Sequence, residues 1–439
     1  MAMECTPSES LHSLDTDAQR AIGQTPDAER VRPPQNRTRV NAPSGTLTAA
    51  PEATVDPAQH AGQPTGAGLE FPDAALVGSL GDLGRVLAAG TEVPEGFLFA
   101  SALTILGAMC SGELTADVGL DSDTRLYAVL LGESAEAKKS SARKRTVEFF
   151  ESLKSTRLPH VLHGVGSAEG LARKLALHPN ILLCFDELRS FVDKASVQGS
   201  VLLPMTTSLY EDHDWDNAVK DRDVSIRGAR ISLLGCATTD TYERMWTPEA
   251  IAIGFTNRQF VVGAERRDKV AWPVPPDACK LGDIRSRLLT QLGRLPLTLS
   301  MTGEARREWE EWYVGLPPSP HAKRLDTIGR RLLLLIALTT DKSEIDLETV
   351  KTVRKILEYE LNIRRLSDPI DAENAIARME EKIRRKLKGT RFMDKRQLHR
   401  AVNASRAGIW VFDTALRNLR QNDEVKCEGK RITLADATK

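Results

Sequence analysis

A chain of 439 residues, 41% apolar and 27% charged, carries enough hydrophobic material for two or three domains, which excludes a wholly unfolded or fibrous chain. Its 60 Lys and Arg balance 60 Asp and Glu, so bulk charge excludes binding to nucleic acid or an anionic membrane by net field, and any such surface has to be local. Six cysteines (Cys5, Cys110, Cys184, Cys236, Cys279 and Cys427) form no C-x-x-C pair and have no histidine at metal spacing; reduced thiols are expected instead of zinc or disulfides, with Cys184 and Cys236 as small core residues.

No apolar run approaches the roughly 18 residues of a membrane span, and no basic stretch followed by an apolar core opens the chain, so a cytoplasmic protein is expected. Residues 1–66 are rich in Pro, Thr, Ala, Gln and Gly with little apolar periodicity, the composition of a disordered leader. From Phe71 the pattern turns helical, first in ALVGSLGDLGRVLAAG and then in GFLFASALTILGAMCSG. The second stretch is apolar enough for a buried helix.

Leu126 to Arg145, LYAVLLGESAEAKKSSARKR, breaks from an apolar run into a small polar turn and then a basic helix. It reads as a buried parallel strand, a phosphate-cradling loop and a helix N-terminus, where backbone N–H groups and the helix dipole face an anion. The P-loop pattern G-x-x-x-x-G-K-[ST] is met imperfectly: from Gly132 the lysine position is Lys138, and Ala137 stands where the second glycine belongs. Gly132, Ser134, Lys138, Lys139, Ser140 and Ser141 are the candidate nucleotide contacts. Either lysine can neutralise β and γ phosphates while Ser140 or Ser141 reaches a metal, and spacing does not choose between Lys138 and Lys139. Ala137, Glu133 and Glu136 add bulk and negative charge beside the site.

A helix continues over 142–154, and His160 to Val165 is a short strand candidate. Ser167 caps AEGLARKLALH, with Glu169 in its first turn. Ile181 to Phe185 is a continuous apolar run ended by Asp186 and Glu187, the pattern of a central parallel strand with carboxylates at its edge. In a P-loop protein Asp186 holds Mg²⁺ and Glu187 orients the attacking water; the plain alternative is an acidic helix cap. After a helix at 204–210 come strands at 224–226 and 230–236, the second running into Thr238, Thr239 and Asp240. A polar residue there, Thr239 in particular, senses a γ phosphate or caps a helix. Arg258, between Gly254 and an apolar strand, is a candidate arginine finger toward a neighbouring subunit or a structural ion pair. Strand and helix alternate over 126–263, so a parallel α/β sheet is the economical fold.

The Pro-rich WPVPP at 272–276 marks a boundary. Beyond it, 281–388 is almost wholly helical in pattern, and 382–434 reads as three helices and a hairpin. The expected division is a leader at 1–66, an α/β core with N-terminal helices at 67–272, a helical lid or bundle at 273–381 and a C-terminal module at 382–439.

LYAVLLGESAEAKKSS, ILLCFDELRSF, TSLYEDHDWDN, ARISLLGCATTD, GFTNRQFVV and HAKRLDTIGRRLLLLIAL together resemble a broad family of P-loop proteins found among phage, plasmid and integrative-element replication proteins, often fused to primase-polymerase modules. The likeness covers about 75–370. The family's loop is similarly irregular, which favours Lys139 over Lys138. The resemblance implies a RecA/AAA-like ATPase core using ATP and Mg²⁺, a homo-oligomer for which a hexamer is one form, and action as a helicase or replication-initiation motor. No primase module is expected in so short and polar a leader, so a primase would act in trans.

Between 382 and 431 fifteen Lys and Arg face five Asp and Glu, a local field suited to phosphate. MDKRQLHRAVN, AGIWVFDTALRNLRQNDEV and KCEGKRITLAD resemble a winged helix, whose second helix lies in the major groove of DNA. Ile409, Phe412, Leu416 and Leu419 form the expected buried stripe, leaving Arg406, Arg417, Arg420, Lys430 and Arg431 for DNA; Trp410 and Phe412 are expected in the core. The competing class is a non-hydrolysing DNA-binding replication or regulatory protein with a degenerate loop. A metabolic kinase needs neither the helical region nor the basic module.

Overall fold

The computed structural model describes residues 70–117, 123–133, 137–217, 224–264, 267–316, 318–369, 375–388, 390, 392–422, 424–429 and 431–435. The leader expected over 1–66, Ser134, Glu136 and Lys430 lie outside them.

Helix α1 (Gly78–Ala88) leads into α2 (Glu95–Cys110), which is buried at every position from Gly96 onward. That follows from its composition, since a helix apolar on all sides is stable only inside a core. Strand β1 (Leu114–Ala116) is followed by β2 (Tyr127–Leu131), buried at all five positions, and by α3 (Lys139–Glu151). β3 (His160–Leu162) leads to α4 (Ala168–Leu177), where the Ser167 hydroxyl accepts the Gly170 amide hydrogen at 3.1 Å as the capping pattern requires. β4 (Asn180–Phe185) is followed by α5 (Arg189–Ala195) and α6 (Leu202–Ser208). Strands β5 (Trp215–Asn217) and β6 (Val224–Ile226) make a separate antiparallel ribbon, so 224–226 is no part of the main sheet. β7 (Arg230–Ala237), α7 (Thr239–Met245), α8 (Pro248–Ala252) and β8 (Gln259–Gly263) complete the alternating region.

The main sheet has the order β3-β4-β7-β2-β8, and every pairing in it is parallel. The chain is thus a mixed α/β protein with a central parallel sheet, as the strand and helix alternation predicts. From β2 the chain crosses to the far edge strand β3, whereas from β7 it moves the other way to β8. Connections that leave neighbouring strands in opposite directions open a crevice at their carboxyl ends.

Beyond Pro276 come α9 (Ala278–Gly293), β9 (Leu297–Met301), α10 (Gly303–Val314), α11 (Leu325–Thr339), β10 (Glu344–Ile345) and α12 (Leu347–Ser367). This region is not wholly helical: β9 pairs in parallel with both β1 and β10, giving a second, three-stranded sheet. Two- to five-residue strands between long amphipathic helices leave too little period-2 signal to be read alone. Nor does WPVPP separate two cores, because one apolar cluster runs from Phe71 to Ile363 and draws on α2, β2, α11 and α12 together.

A second apolar cluster, from Met379 to Ile432, is built from α13 (Ala375–Lys388), β11 (Met393–Asp394), α14 (Lys395–Ala401), α15 (Ala404–Ala407), α16 (Ile409–Gln421), β12 (Val425–Glu428) and β13 (Arg431–Leu434). Its sheet is antiparallel in the order β11-β13-β12.

The start of β2 is fixed by buried charge. Asp123 accepts hydrogen bonds from the amides of Thr124 at 2.6 Å and Arg125 at 3.2 Å and from the Ser111 hydroxyl at 3.0 Å, and it pairs with the buried Arg125 guanidinium. Arg125 donates to the Leu209 carbonyl at 2.7 Å, and Arg331 of α11 donates to the carbonyls of Arg125 at 2.6 Å and Tyr210 at 2.8 Å. Burial alone would raise the Asp123 pKa, but Arg125, Arg331 and the Ser111 bond hold it down at about 2, below its ordinary 3.8. A depressed carboxylate stabilises the fold above its ordinary value and loses that contribution as the pH falls through its folded value. Asp123→Asn is therefore expected to lower unfolding free energy by roughly 2 kcal/mol at neutral pH. In urea titrations the gap from wild type should hold down to about pH 4 and close toward pH 2.

Candidate functional site

The sheet brings three sequence-predicted stretches to one edge. Leu131 pairs with Ala237, and Phe185 pairs with Gly235. The carboxyl ends of β2, β4 and β7 therefore deliver Gly132, Asp186–Glu187 and Thr238–Thr239 side by side. Two backbone bonds strap them together: the Gly132 amide donates to the Ala237 carbonyl at 3.4 Å, and the Leu188 amide to the Cys236 carbonyl at 2.8 Å.

The departure from the glycine pattern has a steric counterpart. A Cβ on Gly132 would stand 2.4 Å from the Ala137 Cβ and 3.0 Å from the Ala264 carbonyl oxygen. The absence of a side chain at Gly132 is what leaves room for the methyl at Ala137, and the Ala137 amide closes the loop on the Glu133 carbonyl at 3.3 Å.

The two lysines diverge. Lys138 takes a left-handed φ of 50° just before α3, and its ammonium lies 3.1 Å from a Glu92 carboxylate oxygen. Lys139, the first residue of α3, folds back over the loop and donates to the carbonyls of Gly132 at 2.6 Å and Glu133 at 3.0 Å. Its pKa is lowered by desolvation, against the opposing charges of Glu133 and Glu187. Ser140 and Ser141 are exposed.

A residue missed in the sequence completes the group. Arg143, one helical turn after Lys139, is buried and donates to the same oxygen of Asp186 from Nε at 3.2 Å and Nη2 at 2.8 Å. Burial would raise the Asp186 pKa, but the Arg143 bonds and charge bring it below the ordinary value. Both Arg143 bonds fall on Oδ1, so Oδ2 stays available, and the carboxylate is 65% exposed. The only signal for Arg143 in the sequence is its place four residues after Lys139, lost among the cations of KKSSARKR. Glu187 is exposed. Thr238 caps α7, its hydroxyl accepting the Thr241 amide hydrogen at 3.2 Å, and Thr239 opens that helix. Cys184 and Cys236 are buried beneath the edge, and burial pushes their thiols up to about 11 and about 12, as inert core residues.

Arg258 is not brought to this edge. It directly precedes β8, whose first residue pairs with Tyr127 at the start of β2, so it sits at the amino edge of the sheet. Its guanidinium is buried, donates to the carbonyls of Ile253 at 3.3 Å and Gly254 at 3.0 Å, and lies 3.6 Å from Glu211. Desolvation, then Arg324 nearby, lower its pKa.

In the C-terminal module Arg417 and Arg420 are exposed on α16, and the Arg431 guanidinium lies 4.7 Å over the Phe392 ring. Arg406 is exposed but lies 3.7 Å from Asp240 of α7, and Lys382 lies 3.6 Å from Glu243 of the same helix. Part of the local positive charge is thus matched inside the protein, with Arg384 on Glu424 at 2.6 Å and Lys395 on Asp413 at 2.8 Å as further cases. Phe412, Leu416 and Leu419 are buried as expected, together with Val411 and Ala415, but Ile409 and Trp410 are 61% and 66% exposed. Trp410 stands about 160° from Phe412 around a 3.6-residue helix. Ile409 shares the buried side but precedes the first packed turn.

Among the described residues no group of three or more His, Cys, Asp or Glu side chains could hold a metal ion by itself, and no helix is long and apolar enough to cross a membrane. No family model matches the chain, and no curated protein matches it either.

Gly132→Ala is expected to cost about 1–3 kcal/mol through overpacking. Adding Ala137→Gly should recover most of that loss in thermal melts, because it removes the nearer of the two clashing atoms; no recovery would assign the strain to the Ala264 carbonyl.

Proposed function

We propose that the chain is an ATP-dependent DNA-handling motor, a helicase or replication-initiation ATPase, with a P-loop core on the parallel sheet and a winged helix at its C-terminal end. The observation that carries the reading is the meeting of the Lys139 loop, the Arg143–Asp186 pair and the Thr238-capped α7 at the carboxyl edge of adjoining parallel strands. That is the crevice where doubly wound sheets bind ligands. The family resemblance adds the setting, a mobile genetic element, and a homo-oligomeric form.

ATP with Mg²⁺ fits these residues. Mg²⁺ takes hard oxygen ligands and is usually held by one or two carboxylates together with substrate phosphates, and Asp186 Oδ2 with the adjoining Ser140 hydroxyl offers such a set. When bound, the ion supplies neutralisation of phosphate charge. Lys139 would exchange the carbonyls of Gly132 and Glu133 for phosphate oxygens, and the amides opening α3 would face the same anion. Arg143 orients Asp186 and lowers its pKa further. Glu187 is the group to orient a water, with Thr239 beside it. Arg258 would serve a neighbouring subunit only after leaving the Gly254 carbonyl.

The order α13, β11, α14, α16, β12, β13, with its three-stranded antiparallel sheet, supports the winged helix. α16 then becomes the helix presented to DNA, with Arg417 and Arg420 on its exposed surface. A second reading, DNA binding without hydrolysis, is favoured by one feature: Lys139 is already satisfied by its own loop beside Glu133.

ATP turnover by the purified chain, with and without DNA, separates the two. DNA-stimulated hydrolysis lost in both Lys139→Ala and Asp186→Ala supports the motor, and DNA binding with no turnover supports the second reading. Asp240→Ala releases Arg406 and is expected to tighten DNA binding roughly two- to fivefold at low salt, with the gain screened away at high salt.

A further inference from the structure

Ile409 and Trp410 form an exposed apolar tip at the start of α16, and the core of the module does not use it. Gly408 takes a φ of 102°, and the Trp410 indole lies so close that a Cβ at Gly408 would sit 3.5 Å from its Cδ1 and Nε1. Its surroundings are cationic. Arg417 is two turns further along the exposed side of α16, and Arg396 and Arg400 are exposed on α14. α14 is fixed against α16 by the His399 ring on Phe412, with centroids 5.2 Å apart. Asp413, the carboxylate one turn from Trp410, is matched by Lys395 at 2.8 Å. A solvent-facing isoleucine and tryptophan on a helix that carries Arg417 further along its exposed side, in a module rich in exposed arginines, suit a partner that is polyanionic outside and carries apolar groups within a groove.

We infer that Ile409 and Trp410 read duplex DNA by packing against thymine methyl groups in the major groove, while the arginines around them hold phosphates. The inference rests on the DNA-binding reading of this module and says what in the DNA it recognises. Among the four bases only thymine presents a methyl group in the major groove, so apolar contact there carries sequence information that phosphate contacts do not. The helix start is the part of such a helix that reaches base edges. Charge complementarity favours DNA over a second copy of this chain, whose apolar tip would bring the same arginines with it.

The test measures fluorescence anisotropy of the full chain with labelled duplexes of alternating dA·dT, the same duplex with uracil for thymine, and alternating dG·dC. Wild type is expected to bind the thymine duplex about three- to tenfold more tightly than the uracil duplex. Trp410→Ala and Ile409→Ala should each reduce that ratio toward one with unchanged thermal melting, while Arg417→Ala weakens all three duplexes alike and flattens the salt dependence. Equal wild-type affinity for the thymine and uracil duplexes overturns the inference and leaves the DNA reading standing. So does a Trp410→Ala variant that keeps the thymine preference and changes only the sedimenting mass, which would assign the tip to a second copy. Failure of the wild type to bind any of the duplexes overturns both.

Discussion

Buried guanidinium groups hold the amino edge of the central sheet, and the chemistry proposed at the opposite edge depends on them. Arg125 and Arg331 cover the carbonyls of Leu209, Tyr210 and Arg125 itself where β2 begins. Arg364, fully buried on α12, donates to the carbonyls of Gln259 at 2.8 Å and Asn257 at 3.2 Å where β8 begins and pairs with the buried Glu360 at 2.9 Å. Arg258 closes the turn before β8. Backbone carbonyls that leave a parallel sheet inside a core need donors, and the planar fork of arginine supplies several at once. Removing one such arginine would strand the carbonyls it serves and, for Arg364, a buried carboxylate.

With one edge fixed this way, the carboxyl edge can carry loops without losing register. Its geometry is set by small contacts: Gly132 against Ala137, the Leu188 amide on Cys236, and Arg143 beneath Asp186. Arg143 matters most for electrostatics, because it holds the Asp186 carboxylate through one oxygen and lowers its pKa while leaving the other oxygen to further partners. Lys139 is in the reverse position, desolvated and turned onto its own loop, so an anion that draws it away offers it a better-matched charge.

Helix α7 joins the two halves of the proposed function. It starts at the Thr238 cap beside the loop edge, and its outer side meets the C-terminal module through Asp240 with Arg406 and Glu243 with Lys382. Glu243 is largely buried there, and its pKa is raised because desolvation outweighs the attraction of Lys382, Arg385 and Lys386. This short helix thus links the carboxyl edge of the sheet to the basic module by direct contact.

The sequence by itself determined the alternating strands and helices of 126–263, because continuous apolar runs such as Ile181 to Phe185 and Leu126 to Leu131 admit only burial between parallel neighbours. It also determined the lysine loop, the acidic strand end and the Ser167 cap, each written in consecutive residues. Only the tertiary structure decided the rest. The pairing of Arg143 with Asp186 joins residues on two different elements, and the loss of a boundary at WPVPP follows from α11 and α12 packing on the sheet. Arg258 reads equally as finger or brace in the sequence, and the structure shows it buried and bonded to the Ile253 and Gly254 carbonyls of its own chain. Trp410 shows the reason most plainly: hydrophobicity says that a side chain gains by leaving water, but the phase of the helix and the place of its first packed turn decide whether a core is there to receive it.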